Sequence, residues 1–171
     1  AKPKPGVIEF LERMRRKGVK MAIATLTARR HAEKALLDRG MMQYFSFMLT
    51  IEDVGVPKYE PDIYLEAARR LGLAPAECMV FEDAPYAGVT AHRAGFQLCG
   101  MAEAAYADGE AELRSVSDIF VERSFDELDG KLFLGWRDSD GNAVSSIVAL
   151  KRGSVLNAVY ADFSTDKGRD F

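Results

Sequence analysis

The chain has 171 residues, 48% of them apolar and 29% charged, with 23 Lys and Arg against 26 Asp and Glu and a formal net charge of −3. That length suits one domain that buries about 70% of its unfolded surface, and the absence of surplus positive charge argues against nucleic acid as a partner. No apolar run approaches the ~20 residues that span a bilayer and no signal peptide is visible, so a membrane is not expected either. The two cysteines, Cys78 and Cys99, lack zinc spacing and read as reduced core residues of a cytoplasmic-type protein.

Pro5-Gly6 opens a predicted helix with Val7, Phe10, Leu11 and Met14 at helical spacing, closed by Gly18. The basic cluster Arg13, Arg15, Arg16 and Lys17 falls in its last turn, where cations suit the helix dipole. Val19 to Thr25 reads as a buried strand. Thr25-Leu26-Thr27 then precedes a helix over about 28–39, and hydroxyls between a strand's carboxyl end and a helix N-terminus form a candidate phosphate seat. Thr is equally a common structural N-cap.

Phe47 to Thr50 is a predicted short strand and 51–59 an irregular loop containing Lys58. Pro61-Asp62 starts a helix with Tyr64, Ala67, Ala68 and Leu71 on one face and Gly72 as its stop. The apolar run Cys78-Met79-Val80-Phe81 reads as a strand buried on both faces, as a parallel sheet covered by helices requires. Glu82-Asp83 ends it. In a doubly wound fold ligands lie outside the carboxyl ends of the strands, and Mg²⁺ favours one or two carboxylates with water and phosphate, so the pair is a candidate metal site as well as a simple helix cap. A helix across Ala87, Ala91 and Ala94 to Gly95, a strand over Phe96 to Met101 and a short strand over Asp118 to Val121 follow.

Alternation of strand and helix as far as about residue 128 predicts an α/β fold, mainly parallel, with right-handed crossovers. Lys131 to Arg137, Ala143 to Leu150 and Ser154 to Ala161 instead read as a β-meander broken at Asp138-Ser139-Asp140-Gly141-Asn142 and Lys151-Arg152-Gly153. The expected organisation is therefore a core over 1–130 and a β-rich extension over 131–171. His31 and His92 fall on predicted helices away from the strand ends. The six tyrosines and single Trp136 show no stacking pattern for bases.

Three stretches, Ala22-Ile23-Ala24-Thr25, Pro57-Lys58-Tyr59-Glu60-Pro61-Asp62 and Val80-Phe81-Glu82-Asp83 with Ala87-Gly88 after it, together resemble three of the four motifs of the haloacid-dehalogenase-like hydrolase superfamily, in the branch of β-phosphoglucomutase and small phosphatases. The resemblance covers about Pro5 to Leu128. It implies a Rossmann-like three-layer α/β/α core. It also implies Mg²⁺-dependent phosphoryl hydrolysis or transfer on a small phosphorylated metabolite through an aspartyl-phosphate, or else a catalytically incomplete scaffold that binds or assembles. Under it Thr25, Leu26 and Thr27 hold phosphate, Lys58 offsets charge on phosphate and nucleophile, and Asp83 ligates Mg²⁺ with Glu82 as second ligand or outer partner.

The family's fourth motif, Asp-x-Asp-Gly-Thr at the end of a first strand, supplies the nucleophile and is not matched before Pro5, so the chain is expected to begin where the family's core resumes after its cap domain. The resemblance places that strand between those ending at Thr25 and Asp83, and a slot one strand wide leaves buried backbone groups unpaired. A preceding segment, the C-terminal part of this chain or a strand of a second chain are the candidates to fill it. Asp138 and Asp140, in Asp138-Ser139-Asp140-Gly141, are candidate nucleophile positions, with Asp162 a weaker one and an ordinary hairpin turn the competing reading.

Overall fold

A computed structural model describes residues 3–16 and 18–128, and the backbone of 148–150 and 157–158. Its elements are α1 (Val7–Arg16), β1 (Ala22–Thr25), α2 (Arg29–Leu37), β2 (Phe47–Thr50), α3 (Ile51–Val54), α4 (Asp62–Leu71), β3 (Met79–Glu82), α5 (Pro85–Arg93), β4 (Gln97–Met101), α6 (Glu110–Val116), β5 (Ile119–Val121), β6 (Val148–Leu150) and β7 (Asn157–Ala158).

The strands form two groups, ordered β2-β1-β6-β7 and β3-β4-β5. Every pairing except β6 with β7 is parallel. Successive strand residues face opposite sides of the sheet, and both sides are covered. Ile23, Met79 and Phe81 pack with Val7, Phe10, Leu11 and Met14 of α1 and Ala32 and Leu36 of α2. Ala22, Ala24, Val80 and Leu98 pack with Ile63, Tyr64, Ala67 and Ala68 of α4, Ala91 of α5 and Leu113 of α6. This is the expected α/β core with helices on both faces, and the doubly covered sheet explains why β1 and β3 read as unbroken apolar runs.

The first layer is stiffened by Phe10, Phe81 and Phe125, with Phe10 and Phe125 centroids 5.2 Å apart and Phe81 and Phe125 stacked at 6.0 Å. Small residues set the second: Gly88 of α5 faces Leu113 of α6 so closely that a Cβ there would collide with the leucine side chain.

Two differences from the expected elements have clear causes. Part of the 51–59 loop is a helical turn, α3, because Asp53 Oδ2 accepts from Thr50 N–H at 2.6 Å and Thr50 Oγ1 at 2.9 Å, and Gly55 closes the turn at φ 74°. Helix α6 buries a single residue, Leu113, so it carries almost no periodic signal.

The C-terminal part supplies a neighbour for β1. Val148-Ala149-Leu150 pairs in parallel with Ile23-Ala24-Thr25, while β7 returns antiparallel beside it, and both approach β3. A strand read as part of a separate meander is thus hydrogen-bonded to the core sheet. The boundary expected at residue 130, the segment 132–137, Asp138, Asp140 and Asp162 lie outside the described residues.

Replacing a helical Gly by Ala ordinarily stabilises by about 1 kcal/mol. Here overpacking against Leu113 reverses the sign, and Gly88→Ala is expected to destabilise by about 1–3 kcal/mol, measured as a lower urea midpoint at unchanged slope.

Candidate active site

Among the described residues, the buried charged side chains are Lys58, Glu82 and Asp83, exposed by 3%, 1% and 1%. All three stand at the carboxyl end of β3. Strand alternation that turns Val80 toward α4 also turns Glu82 there, where α4 and the loop before it bring Tyr64 and Lys58.

Lys58 Nζ donates to Glu82 Oε1 in a buried ion pair. The Tyr64 hydroxyl donates to the same oxygen at 3.0 Å, and Lys58 Nζ lies 5.2 Å from the Tyr64 ring centroid. Glu82 Oε2 accepts from the backbone N–H of Asp83 at 3.0 Å and of Ala84 at 3.3 Å. Burial pushes the Glu82 carboxyl up, but the Lys58 ammonium, the Ala84 N–H and the Tyr64 hydroxyl outweigh it and hold the carboxyl below its ordinary range. Tyr64 moves the other way: burial first, then the Glu82 charge, pushes its hydroxyl well above the ordinary value and keeps it a donor.

Both oxygens of Glu82 are thus engaged by protein donors, so of the two carboxylates that end β3 it is the one already fully held by the protein. The sequence reading placed Tyr64 only on the packing face of its helix. A buried tyrosine hydroxyl needs a partner, which is the only signal the sequence carries here, and the fold supplies that partner in the carboxylate 18 residues further on.

Thr25 is fully buried at the carboxyl end of β1. Its Oγ1 accepts from Thr27 N–H at 3.0 Å, which leaves the Thr25 O–H proton available as a donor. Thr27 Oγ1 is buried with no hydrogen-bond partner among the described residues. The N-terminus of α2 is less open than the sequence suggests, because Arg29 N–H donates to Glu52 Oε1 at 3.2 Å and the Arg29 guanidinium to Asp53 Oδ2 at 2.7 Å. Carboxylates of α3 therefore occupy this helix end, and the candidate seat Thr25-Leu26-Thr27 lies ahead of it without the open helix terminus.

Lys58, Glu82 and Asp83 thus meet as a group, while Thr25 joins them only through the common carboxyl edge. No cluster of three or more His, Cys, Asp or Glu suited to a metal occurs among the described residues. A single buried aspartate at the carboxyl edge of the sheet is a donor set compatible with a hard cation that keeps most of its shell as water and phosphate oxygen. His31 and His92 are exposed, and Cys78 and Cys99 are free and buried, burial pushing the Cys78 thiol up to about 12. Among the described residues no helix is long and apolar enough to cross a membrane.

A carboxyl whose folded pKa lies below its ordinary 4.5 contributes stability that is fully present above that value and is lost as pH falls through the lower folded value. Urea unfolding from neutral pH to the acid side of 4.5 is expected to show this loss, and Glu82→Gln to lack that component. At neutral pH the same variant is expected to be less stable by about 3–5 kcal/mol, because Lys58 stays buried beside a partner that no longer carries charge.

The family model for haloacid dehalogenase-like hydrolases matches residues 1–95. A phosphorylated carbohydrates phosphatase of Thermotoga maritima is 34% identical over 114 residues, covering 67% of this chain and 53% of the relative. A HAD family hydrolase from Deinococcus radiodurans R1, solved with bound phosphate and sodium, superposes with a TM-score of 0.66 at 30% identity over 74% of this chain and 57% of that one. The β-phosphoglucomutase of Clostridium difficile shares the fold, with a TM-score of 0.61 at 19% identity over 74% of this chain and 54% of that one. The chain spans about half the length of the curated relatives it matches. By the match over residues 1–95 and the likeness to these proteins, the chain belongs to the haloacid dehalogenase-like hydrolase family.

Proposed function

We propose that the chain holds the phosphoryl group of a small phosphorylated metabolite at the carboxyl end of its sheet, for Mg²⁺-dependent hydrolysis or transfer through an aspartyl-phosphate. The observation that carries this reading is the joint burial of Lys58, Glu82 and Asp83. Buried charges are costly unless paired, and titratable groups drawn together at a strand end are a recurrent mark of a functional site. One positive and two negative charges leave the group one negative in excess. A dication beside Asp83 reverses that sign and suits the site to a phosphate dianion.

In this reading Thr25 donates its hydroxyl proton to a phosphoryl oxygen, and Thr27 Oγ1 and the Leu26 and Thr27 backbone N–H groups are further donors. Lys58, fixed by Glu82, offsets charge on phosphate and nucleophile, while Tyr64 and the Asp83 and Ala84 N–H groups hold Glu82 in register. Asp83 is the residue that would hold Mg²⁺, which supplies charge neutralisation at the phosphoryl oxygens when bound. Positioning and electrostatic stabilisation of this kind supply most of what phosphoryl transfer requires. We place the attacking carboxylate outside the described residues.

One observation favours the second reading, a scaffold that binds phosphate without turning it over. β6, the parallel neighbour of β1 on the side away from β2, is Val148-Ala149-Leu150 and continues in sequence as Lys151-Arg152-Gly153, with no carboxylate where the resemblance puts the nucleophile. Hydrolysis of an aryl phosphate, with Mg²⁺ and with chelator, separates the two. Chelator-sensitive turnover that drops about 10²-fold or more in Asp83→Asn and Lys58→Met is the result expected of the enzyme. Turnover indifferent to Asp83→Asn overturns the assignment. Phosphate binding that is lost in Lys58→Met, with no turnover, means that the attacking aspartate is not among these 171 residues and that they act as a phosphate-binding scaffold.

A further inference from the structure

We propose that Tyr59, stacked on Tyr86 at the rim of this site, is a platform for a planar aromatic ring in the organic group of the substrate, so that the core favours aryl-bearing phosphate monoesters over aliphatic ones. The inference rests on the phosphate-holding reading above and adds the chemistry of the rest of the ligand.

Three tyrosines from distant parts of the chain meet here, although their spacing in the sequence shows no pattern. Tyr59 follows Lys58 directly, Tyr86 lies in the first turn of α5 three residues after Asp83, and Tyr106 lies in the turn after β4. The β3–α5 and β4–α6 connections leave carboxyl ends of parallel strands, the side of an open sheet on which ligands bind. The Tyr59 and Tyr86 rings are stacked with centroids 4.5 Å apart at 26°, and Tyr106 meets Tyr86 edge-on at 6.5 Å and 79°.

The stack is held from below. Thr90 Oγ1 donates to the Tyr86 carbonyl at 2.9 Å and lies 3.4 Å from the Tyr59 carbonyl, which ties the Lys58 loop to α5. Tyr86 is half-buried between its neighbours. Tyr59 nevertheless stays 68% exposed, and among the described residues it is the one exposed large aromatic side chain. One face of its ring is taken by Tyr86 and the other is open to solvent.

Position turns this exposed ring into a ligand surface. Lys58 and Tyr59 are consecutive, with Cα atoms about 3.8 Å apart, yet Lys58 is buried against Glu82 and Tyr59 faces out. In the proposed pose, a monoester whose phosphoryl group lies beside Lys58 directs its organic group out of the site past Tyr59. A flat aromatic group gains offset stacking on a ring that is already ordered, so little further conformational freedom is lost on binding. An aliphatic group gains almost nothing there.

The test is isothermal titration of the folded chain, in the presence of Mg²⁺, with inorganic phosphate, methylphosphonate, phenylphosphonate and cyclohexylphosphonate, none of which is hydrolysed. Phenylphosphonate is expected to bind about tenfold more tightly than methylphosphonate, with Tyr59→Phe retaining the ratio and Tyr59→Ala bringing it to about one. A ratio that survives Tyr59→Ala overturns the proposal, as does a wild-type ratio near one. Equal gains for the phenyl and cyclohexyl ligands overturn stacking in favour of apolar contact. Inorganic phosphate distinguishes the two layers of the reading: if it fails to bind, the phosphate-holding function falls and the platform with it, whereas phosphate binding without ring preference removes the platform alone.

Discussion

The ion pair of Lys58 with Glu82 is the interaction on which the rest of the arrangement depends. A lysine and a glutamate that are almost wholly removed from water are tolerated only if every remaining lone pair and proton finds a partner. Tyr64 and the N–H groups of Asp83 and Ala84 meet that demand, and each is delivered by a different structural device. Tyr64 comes from α4, seated on β1 through small residues on both surfaces, Ala22 and Ala24 against Ala67 and Ala68. The two N–H groups come from the turn between β3 and α5, which Pro85 sets as a helix start. Close packing of the helices and correct pairing of the charges are therefore one condition.

Much of this was legible in the sequence because the signals are local. Alternation of apolar runs with helical periodicity gave β1, β2, β3 and β4 and helices α1, α2, α4 and α5, since each of these buries a face and each helix runs out at a Gly. Helix α6 buries only Leu113, and α3 is a single turn held by a side chain, so neither leaves a period to read. Lys58 and Glu82-Asp83 stood out by their places at the ends of elements. That Tyr64 shares an oxygen with Lys58, that Glu52 closes the N-terminus of α2 and that Tyr59 lies on Tyr86 are facts of tertiary packing between residues 18 to 27 positions apart, and no local pattern encodes them.

The same distinction applies to the strand beside β1. Apolar alternation and the Lys151-Arg152-Gly153 break identify a hairpin from sequence, and β6 and β7 are antiparallel as such a break implies. Partner choice follows a different logic. A parallel edge presents a row of unpaired N–H and C=O groups, and any β-prone segment that reaches it in register satisfies them. Val148-Ala149-Leu150 does so beside Ile23-Ala24-Thr25 without bringing a carboxylate. Completing the sheet and completing the reaction are separable demands, and a strand can meet the first with backbone alone.

This separation extends to the site. Charge compensation is confined to a dry group at the end of β3, where moving any member exposes an unpaired charge. Tyr59, by contrast, projects from the same loop into solvent and, among the described residues, is held by Tyr86 and by the contact of its carbonyl with Thr90, so its side chain can change without disturbing the ion pair one residue away. On the proposed reading, the loop buries one residue for phosphate and exposes the next for the remainder of the ligand, so a change at the exposed position alters recognition without touching the buried ion pair.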